Sequence, residues 1–236
     1  MSILFTYSAD VLEKFPLLSG GVLKIDLVAP VDAEGLASAY ATEQGRVRAE
    51  LGDRSLSDLP PLAGWRAAFR AFGVDPTQYR SAAESLLRRL TKKGDISSIN
   101  PLVDMGNLVS IRHALPVAVI DLDRVLPPIS VRFAEGVEPF HDLGESETIH
   151  PQRGEVIFVD AAGQVHARRW CWRQSMGSAA SLQTRLALIT IEAQHANGAA
   201  DVRAAMEDMR HLVQTFANGR IQSALLAGAQ SAFDAL

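Results

Sequence analysis

Residues Ser97 to Asp123, SSINPLVDMGNLVSIRHALPVAVIDLD, hold the order of parts on which the fold reading turns. The stretch opens with Asn100-Pro101, passes through Val103-Asp104 and Asn107 in an apolar segment, reaches Pro116, and ends in a strand-like run that closes on Asp121. Downstream, β-branched or alternating runs recur at 116–122, 129–134, 155–160, 164–172 and 186–192, separated by turn signals such as Ala161-Ala162-Gly163. The short spacing from Asp160 to Gln164 predicts a hairpin. Strands therefore dominate the middle of the chain.

The flanks read differently. Val22 to Val28 alternates apolar and polar residues, a strand set off by a Gly20-Gly21 turn. Asp32 to Leu51 then reads as a helix with a charged outer face. After the Asp58-Leu59-Pro60-Pro61 loop, Leu62, Trp65, Phe69 and Phe72 share one face of a helix ended by Gly73, and that face is core. Ser81-Ala82-Ala83-Glu84 is a capping box: the Ser81 hydroxyl accepts from the Glu84 amide and Glu84 reaches back to Ser81, with Leu86, Leu87 and Leu90 as the buried stripe. Two amphipathic segments, Asp201 to Ala217 and Ile221 to Leu236, close the chain, split by Asn218-Gly219, which suits a helix end. Helices at both chain ends around a run of strands predict an α+β architecture with central mixed or antiparallel β-sheets.

Composition narrows the function classes. The 236 residues can bury one good core, so a single domain is expected. A formal charge of −4 argues against a general nucleic-acid binder, because non-specific affinity comes from phosphate neutralisation by Lys and Arg; any RNA contact must be local. The one cysteine, Cys171, excludes an internal disulfide framework. Met1 to Pro16 is interrupted by Asp10, Glu13 and Lys14 and has no signal-peptide core, and no apolar run approaches membrane-spanning length, so a cytoplasmic location is expected.

No G-x-S-x-G elbow, Walker loop, strand-following G-x-G-x-x-G or H-E-x-x-H occurs, and the six histidines lack ligand spacing, so neither metal nor cofactor is expected. Glu145 and Glu147 beside His150 read as a solvated loop rather than a hydrolytic cluster. Arg88, Arg89, Lys92 and Lys93 crowd the last turn of the helix that Ser81 starts. They have two readings: complements to the helix dipole, or a phosphate-contacting patch for a tRNA acceptor arm. Read as one strand, Arg168 to Ser175 puts Arg168, Trp170, Trp172 and Gln174 on one face and Arg169, Cys171, Arg173 and Ser175 on the other. The tryptophan face is either a stacking surface for a base or aromatic group, or core with snorkelling arginines.

The order from Asn100-Pro101 to Asp121 resembles the B3/B4 editing module of the bacterial phenylalanyl-tRNA synthetase β-subunit, where a "VVD-x-x-NYV…P…D-x-D" pattern lines a pocket that removes wrong amino acids from tRNA. Asn107 and Pro116 are the points of match. The resemblance continues through Arg132 to Glu138, Gly154 to Asp160, Thr184 and Ile191-Glu192, roughly Asp95 to Ala193. The run from Trp65 through Gly73-Val74-Asp75-Pro76, Tyr79-Arg80-Ser81 and Glu84 to Leu87-Arg88-Arg89 is similar to free-standing relatives of that module. The resemblance implies one B3/B4-like domain over residues 1–236, with the matched core at 95–193, a helical N-terminal part at 1–94 and C-terminal helices at 201–236 packed on it.

It also implies an activity: hydrolysis of the ester between a mis-attached amino acid and the tRNA 3′-terminal ribose by a positioned water. Asn107 aligns with the asparagine of the family's Thr-Asn pair, with Gly106 in the threonine place, and the family's Pro-x-His becomes Pro116-Val117-Ala118. The acid that recognises a tyrosine hydroxyl would fall near Ala162 or Gly163, where none stands, and the "GVMGG" segment is replaced by Trp170 to Gln174. Two functions follow. One is a trans-editing deacylase with Asn107, Arg173 and Thr184 as catalytic residues, Arg132, Arg168, Trp170, Trp172, Gln174 and Ser175 as ligand contacts, and aminoacyl-tRNA as partner. The other is a module that binds tRNA or an amino-acid-like ligand and has lost hydrolysis with the histidine. Asn107, Arg132, Arg173 and Thr184 are expected to converge on one cleft.

Overall fold

Buried alternation and close backbone approaches decide where the strands run. The computed structural model describes residues 2–235 apart from Pro30, Ser146 and Ala229. The chain opens with β1 (Ser2–Tyr7), α1 (Ala9–Lys14), β2 (Leu18–Leu27), α2 (Ala33–Leu51), α3 (Pro60–Ala71), α4 (Ala82–Lys93) and α5 (Pro101–His113). The central strands are β3 (Val117–Asp121), β4 (Ile129–Phe133), β5 (Phe140–His141), β6 (Thr148–Ile149), β7 (Val156–Val159), β8 (Val165–Arg168), β9 (Arg173–Gln174) and β10 (Leu186–Gln194). The chain closes with α6 (Gly198–Phe216), β11 (Gly219–Leu226) and β12 (Ala232–Ala235). The architecture is α+β, as expected from the sequence.

Among the described residues the strands form two sheets. The larger runs β12-β1-β4-β7-β8-β5-β6 with β9 added to β8, and the smaller, antiparallel throughout, runs β11-β2-β10-β3. One face of the smaller sheet buries Leu23, Ile25, Ile189 and Ile191 against the helix layer that includes α2, α5 and α6. Its other face turns Val22 and Leu188 toward Phe5, Val131 and Phe158 of the larger sheet. Trp65, Phe69 and Phe72 of α3 fill the same space, as the spacing along that helix predicts. Strand β10 is thus buried on both faces, and its period of two sends Leu188, Thr190 and Glu192 to the inter-sheet side.

The helices are stopped and seated by local chemistry. Asn100 caps α5, its Oδ1 accepting from the Val103 amide at 3.1 Å while its Nδ2 donates to the Ala180 carbonyl at 2.9 Å, and Pro101 needs no partner at the first helical position. Gly106 lets α5 lie flush on β3, since a Cβ there would come 2.9 Å from Val119 Cγ2, so a threonine in this place would push the helix off the sheet. Half of the capping box is present at α4. The Ser81 Oγ accepts from the Glu84 amide at 3.3 Å, but the Glu84 carboxylate turns away to three arginines instead of reaching back.

Three sequence expectations are corrected. Gly20-Gly21 is not a turn before a strand: both lie inside β2, where Gly20 leaves room for the Tyr7 hydroxyl and Gly21 for Met206 of α6. The described residues of the segment expected to be a helix from Ile221 onward are not helical, because β11 pairs along β2 from Gly219 to Leu226 and β12 pairs with β1, while Ala229 and Leu236 lie outside the described residues; long-range pairing overrides the amphipathic spacing. The N-terminal part is likewise not only helical, as β1 and β2 contribute one strand to each sheet. The break at Asn218, which has φ 44°, stands where the sequence puts it.

Arg168 to Ser175 is not one strand either. β8 ends at Arg168, and Arg169 and Trp170 take left-handed φ values of 43° and 61°, so the chain folds back and β9 pairs antiparallel with β8. The parity argument fails at that bend. Trp170 is driven inward by full burial against Trp65, Phe15 and Phe72, while Trp172 stays half-buried at the surface. Among the described residues, no helix is long and apolar enough to cross a membrane.

Candidate functional site

The backward fold at Arg169-Trp170 opens a cavity of about 70 Å³ between the two sheets. Ala118 of β3, Phe158 of β7, Trp170, Trp172, Arg173 and Glu192 are among the residues that line it. The lining is mostly apolar, and Glu192 is its only carboxylate. β10 delivers Glu192 to this space because residues of even number in that strand face the larger sheet.

Glu192 is held, not merely buried. Its Oε1 accepts from the Tyr7 hydroxyl at 2.8 Å and from Trp170 Nε1 at 3.0 Å, and Trp65 Nε1 donates to its backbone carbonyl at 3.3 Å. Gly20 is the residue paired with Glu192 across the β2–β10 ladder, and the absence of a side chain there gives the tyrosine hydroxyl its path. Among the described residues Oε2 has no hydrogen-bond partner, and Glu192 is one of the residues that line the cavity. Burial pushes the Glu192 carboxyl up to about 7, against the pull of the Trp170 and Tyr7 donors. Burial also raises the Cys171 thiol and the Tyr7 hydroxyl, with the Glu192 charge adding to both, so neither is ionised near neutrality.

The structure brings together only part of the site expected from sequence. Trp170, Trp172, Arg173 and Gln174 line the cavity, and Gln174 bridges the sheets by donating to the Val119 carbonyl at 2.8 Å. Arg173 is partly exposed at the rim, 3.3 Å from Asp142 and with its guanidinium 4.9 Å from the Trp172 ring centre. Trp170 offers no stacking face because it is core, and Trp172 is hemmed by Arg169, Arg173 and the edge of Tyr79.

The remaining candidates are engaged elsewhere, so the single cleft expected for Asn107, Arg132, Arg173 and Thr184 is not formed. Asn107, half-buried on α5, lies beside the Tyr40 hydroxyl. Thr184 donates to Asp121 Oδ2 at 2.6 Å and accepts from the Ser181 amide at 2.9 Å, closing its own loop. Arg132 pairs with Glu138 at 2.7 Å. Burial raises Glu138, but the amides of its loop and Arg132 outweigh it and hold the carboxyl at about 2, which makes Arg132 a loop anchor. Arg168 is buried in a two-point pair with Glu155, at 2.7 and 3.2 Å, and Ser175 Oγ caps a short turn at Gly177. Of the basic patch, Arg88 turns to Glu84 and Arg89 to Ser97, leaving Lys92 and Lys93 exposed. Among the described residues, no three His, Cys, Asp or Glu side chains cluster to hold a metal.

Sequence reasoning missed Glu192 and Tyr7 as site residues. The signal for Glu192 is a lone carboxylate inside LALITIEAQ, an otherwise nearly apolar strand. Tyr7 gave none, lying 185 residues away.

The two sheets with their packed helices are consistent with a B3/B4-like fold. The chain belongs to the B3/4 domain family, whose model matches residues 64–220, from within α3 to the second residue of β11. Among solved structures, an N-terminal fragment of the phenylalanyl-tRNA synthetase β-subunit from Pyrococcus horikoshii is similar, with a TM-score of 0.48 and 12% identity over 94% of this chain. The chain spans 50% of that fragment's length. Comparison with the curated proteins yields no match.

Proposed function

We propose that the cavity beside Glu192 hydrolyses the ester of a small amino acid at the 3′ end of a tRNA, acting in trans. The observation that carries this reading is a buried carboxylate, poised near neutrality, opening into a small apolar cavity of a B3/4 domain. A general base works best when its pKa lies near the working pH, and burial supplies that here without a histidine. Glu192 Oε2 takes a proton from a cavity water, which attacks the ester carbonyl. Arg173, at the rim, donates to the developing oxyanion. The carbon–oxygen bond to the ribose breaks, and Glu192 returns the proton to the departing ribose oxygen. Tyr7 and Trp170 keep Oε1 fixed throughout, so the free oxygen stays aimed.

Size sets the substrate class. About 70 Å³ is far below the roughly 300–1,000 Å³ of pockets that bury a drug-sized ligand, so only a short side chain enters. A site of this kind rejects by exclusion, hydrolysing what is small enough to fit. The aminoacyl-tRNA deacylation rate should therefore be highest for glycine, alanine or serine esters and fall to the uncatalysed rate for phenylalanine. Ala118→Leu, which fills the cavity without touching the Tyr7–Glu192–Trp170 contacts, should abolish hydrolysis of the small esters. Equal rates across side-chain sizes would remove the cavity from the mechanism.

The second reading is binding without hydrolysis. It is favoured by the double engagement of Glu192 Oε1 and by Ala118, which offers no second base beside it. In that case the same panel binds with the same size order but no ester is cleaved above the buffer rate.

A further inference from the structure

In a chain of net charge −4, a local excess of cations gathers at one carboxylate. Three guanidinium groups converge on Glu84 Oε1: Arg66 Nη1 at 2.8 Å, Arg88 Nε at 3.0 Å and Arg80 Nε at 3.7 Å. Glu84 is buried, and the three arginines are partly exposed, with side-chain exposures of 15%, 37% and 35% for Arg66, Arg88 and Arg80. Asp75, which also feels Arg66, is hydrogen-bonded by Thr77 and shared with Arg70, so it does not cancel the surplus. The cluster around the buried Glu43 is matched more evenly: Glu43 and the half-buried Asp208 share Arg46, Arg112 and His113.

The donors left over point to an anion. Arg80 Nε is occluded and stands 3.7 Å from Glu84 Oε1, so the donors free for a ligand are the terminal nitrogens. The terminal nitrogens of Arg80 and Arg88 and Nη2 of Arg66 make no hydrogen bond to any described residue. A protein that holds three guanidinium groups together around one carboxylate, in a chain of net charge −4, leaves two positive charges and a fan of donors with no internal acceptor.

The cluster is wired to the cavity. Arg80 and Glu84 stand two residues on either side of Ala82, which lines the cavity and donates its amide to the Cys171 carbonyl at 2.8 Å. Tyr79, next to Arg80, packs its ring 4.9 Å from that of Trp172 at the cavity rim. The segment from Tyr79 to Glu84 therefore runs from rim to lining to arginines without a break. We propose that Arg66, Arg80 and Arg88 form a phosphate-binding site that grips the backbone of an RNA whose 3′ end enters the cavity. This rests on the RNA reading above. Guanidinium donors suit phosphate because their fork matches its oxygens.

The test measures binding of a short single-stranded RNA ending in CCA as a function of salt. Arg80→Gln/Arg88→Gln should weaken binding about tenfold or more at low salt, the loss expected for a charge-assisted hydrogen bond. The dependence of log K on log salt should also flatten by about 0.7 for each phosphate contact removed. Arg203→Gln/Arg220→Gln removes the same net charge from exposed positions on α6 and β11 and should leave the slope unchanged. Uncharged methylphosphonate linkages at the 3′ end should reproduce the loss in the parent and add nothing in the variant. Arg80→Gln alone, which breaks only the longest contact, guards against misfolding of the double variant. RNA binding with an undiminished slope in the Arg80 and Arg88 variants overturns the arginine site and leaves the RNA reading standing. Arginine-dependent binding of inorganic pyrophosphate without RNA binding keeps the phosphate site and overturns the RNA reading. Binding of neither overturns both.

Discussion

Replacing Trp170 with Ala should destabilise the protein by about 3–5 kcal/mol, the range for deleting a large buried aromatic side chain. The expectation rests on where this ring sits. It is fully buried, makes edge contacts with Trp65 at 5.1 Å and Phe15 at 4.9 Å between ring centres, and gives its only polar atom to Glu192. The 70 Å³ cavity already borders it, so the space left behind would merge with an opening that cannot collapse. Domains are stable by about 5–15 kcal/mol in total, so denaturant titration should show a midpoint shifted by a large fraction of its value. Trp170→Phe separates bulk from hydrogen bonding: most packing stays, but Glu192 loses a donor that stabilises its charge. The variant should therefore move the Glu192 pKa further upward. A loss below about 1 kcal/mol for Trp170→Ala would mean the inter-sheet core is not built around this residue.

Glu192→Gln should make the protein more stable above neutral pH. The folded carboxyl titrates at about 7 against an ordinary 4.5, so the folded state binds the proton more tightly than the unfolded chain. Stability from this group is fully present below pH 4.5, declines as pH rises through 7, and stays low beyond it. About 2.5 pH units at 1.36 kcal/mol each make the loss roughly 3 kcal/mol. Gln keeps an oxygen to accept from Tyr7 and Trp170 and carries no charge, so it removes that loss. Thermal unfolding at pH 8 should show a higher midpoint for the variant than for the parent, and the two should approach each other at pH 4. A variant less stable than the parent at pH 8 would show that the charge is better solvated than its burial indicates.

How far the sequence reveals this depends on the range of each interaction. Leu62, Trp65, Phe69 and Phe72 were legible as a core face because helical periodicity is local, and the same is true of the Asn218 break. Ile221 to Leu226 misled for the opposite reason. Its apolar residues fit a helix as well as a strand, and the deciding partner is β2, almost two hundred residues earlier in the chain. The turn at Arg169-Trp170 carries no Gly, Pro or Asn to announce it. The left-handed backbone there is tolerated because it buries Trp170 and lays the Arg169 guanidinium 3.8 Å from the Tyr79 ring centre. The candidate site was half legible: Arg173, Gln174 and the two tryptophans came from the local run Arg168 to Ser175, whereas Glu192 gains its role only when Tyr7, Gly20 and Trp170 arrive from distant elements.

The most direct measurement is single-turnover hydrolysis of alanyl-tRNA across pH 5–8 by the parent and by Glu192→Gln. A base that works only when ionised predicts a parent rate that rises with pH and levels off above about 7, and a variant rate close to that of buffer at every pH, while both proteins bind the tRNA alike. A Glu192→Gln variant that cleaves the ester as fast as the parent, or a parent no faster than buffer throughout that range, would contradict the account.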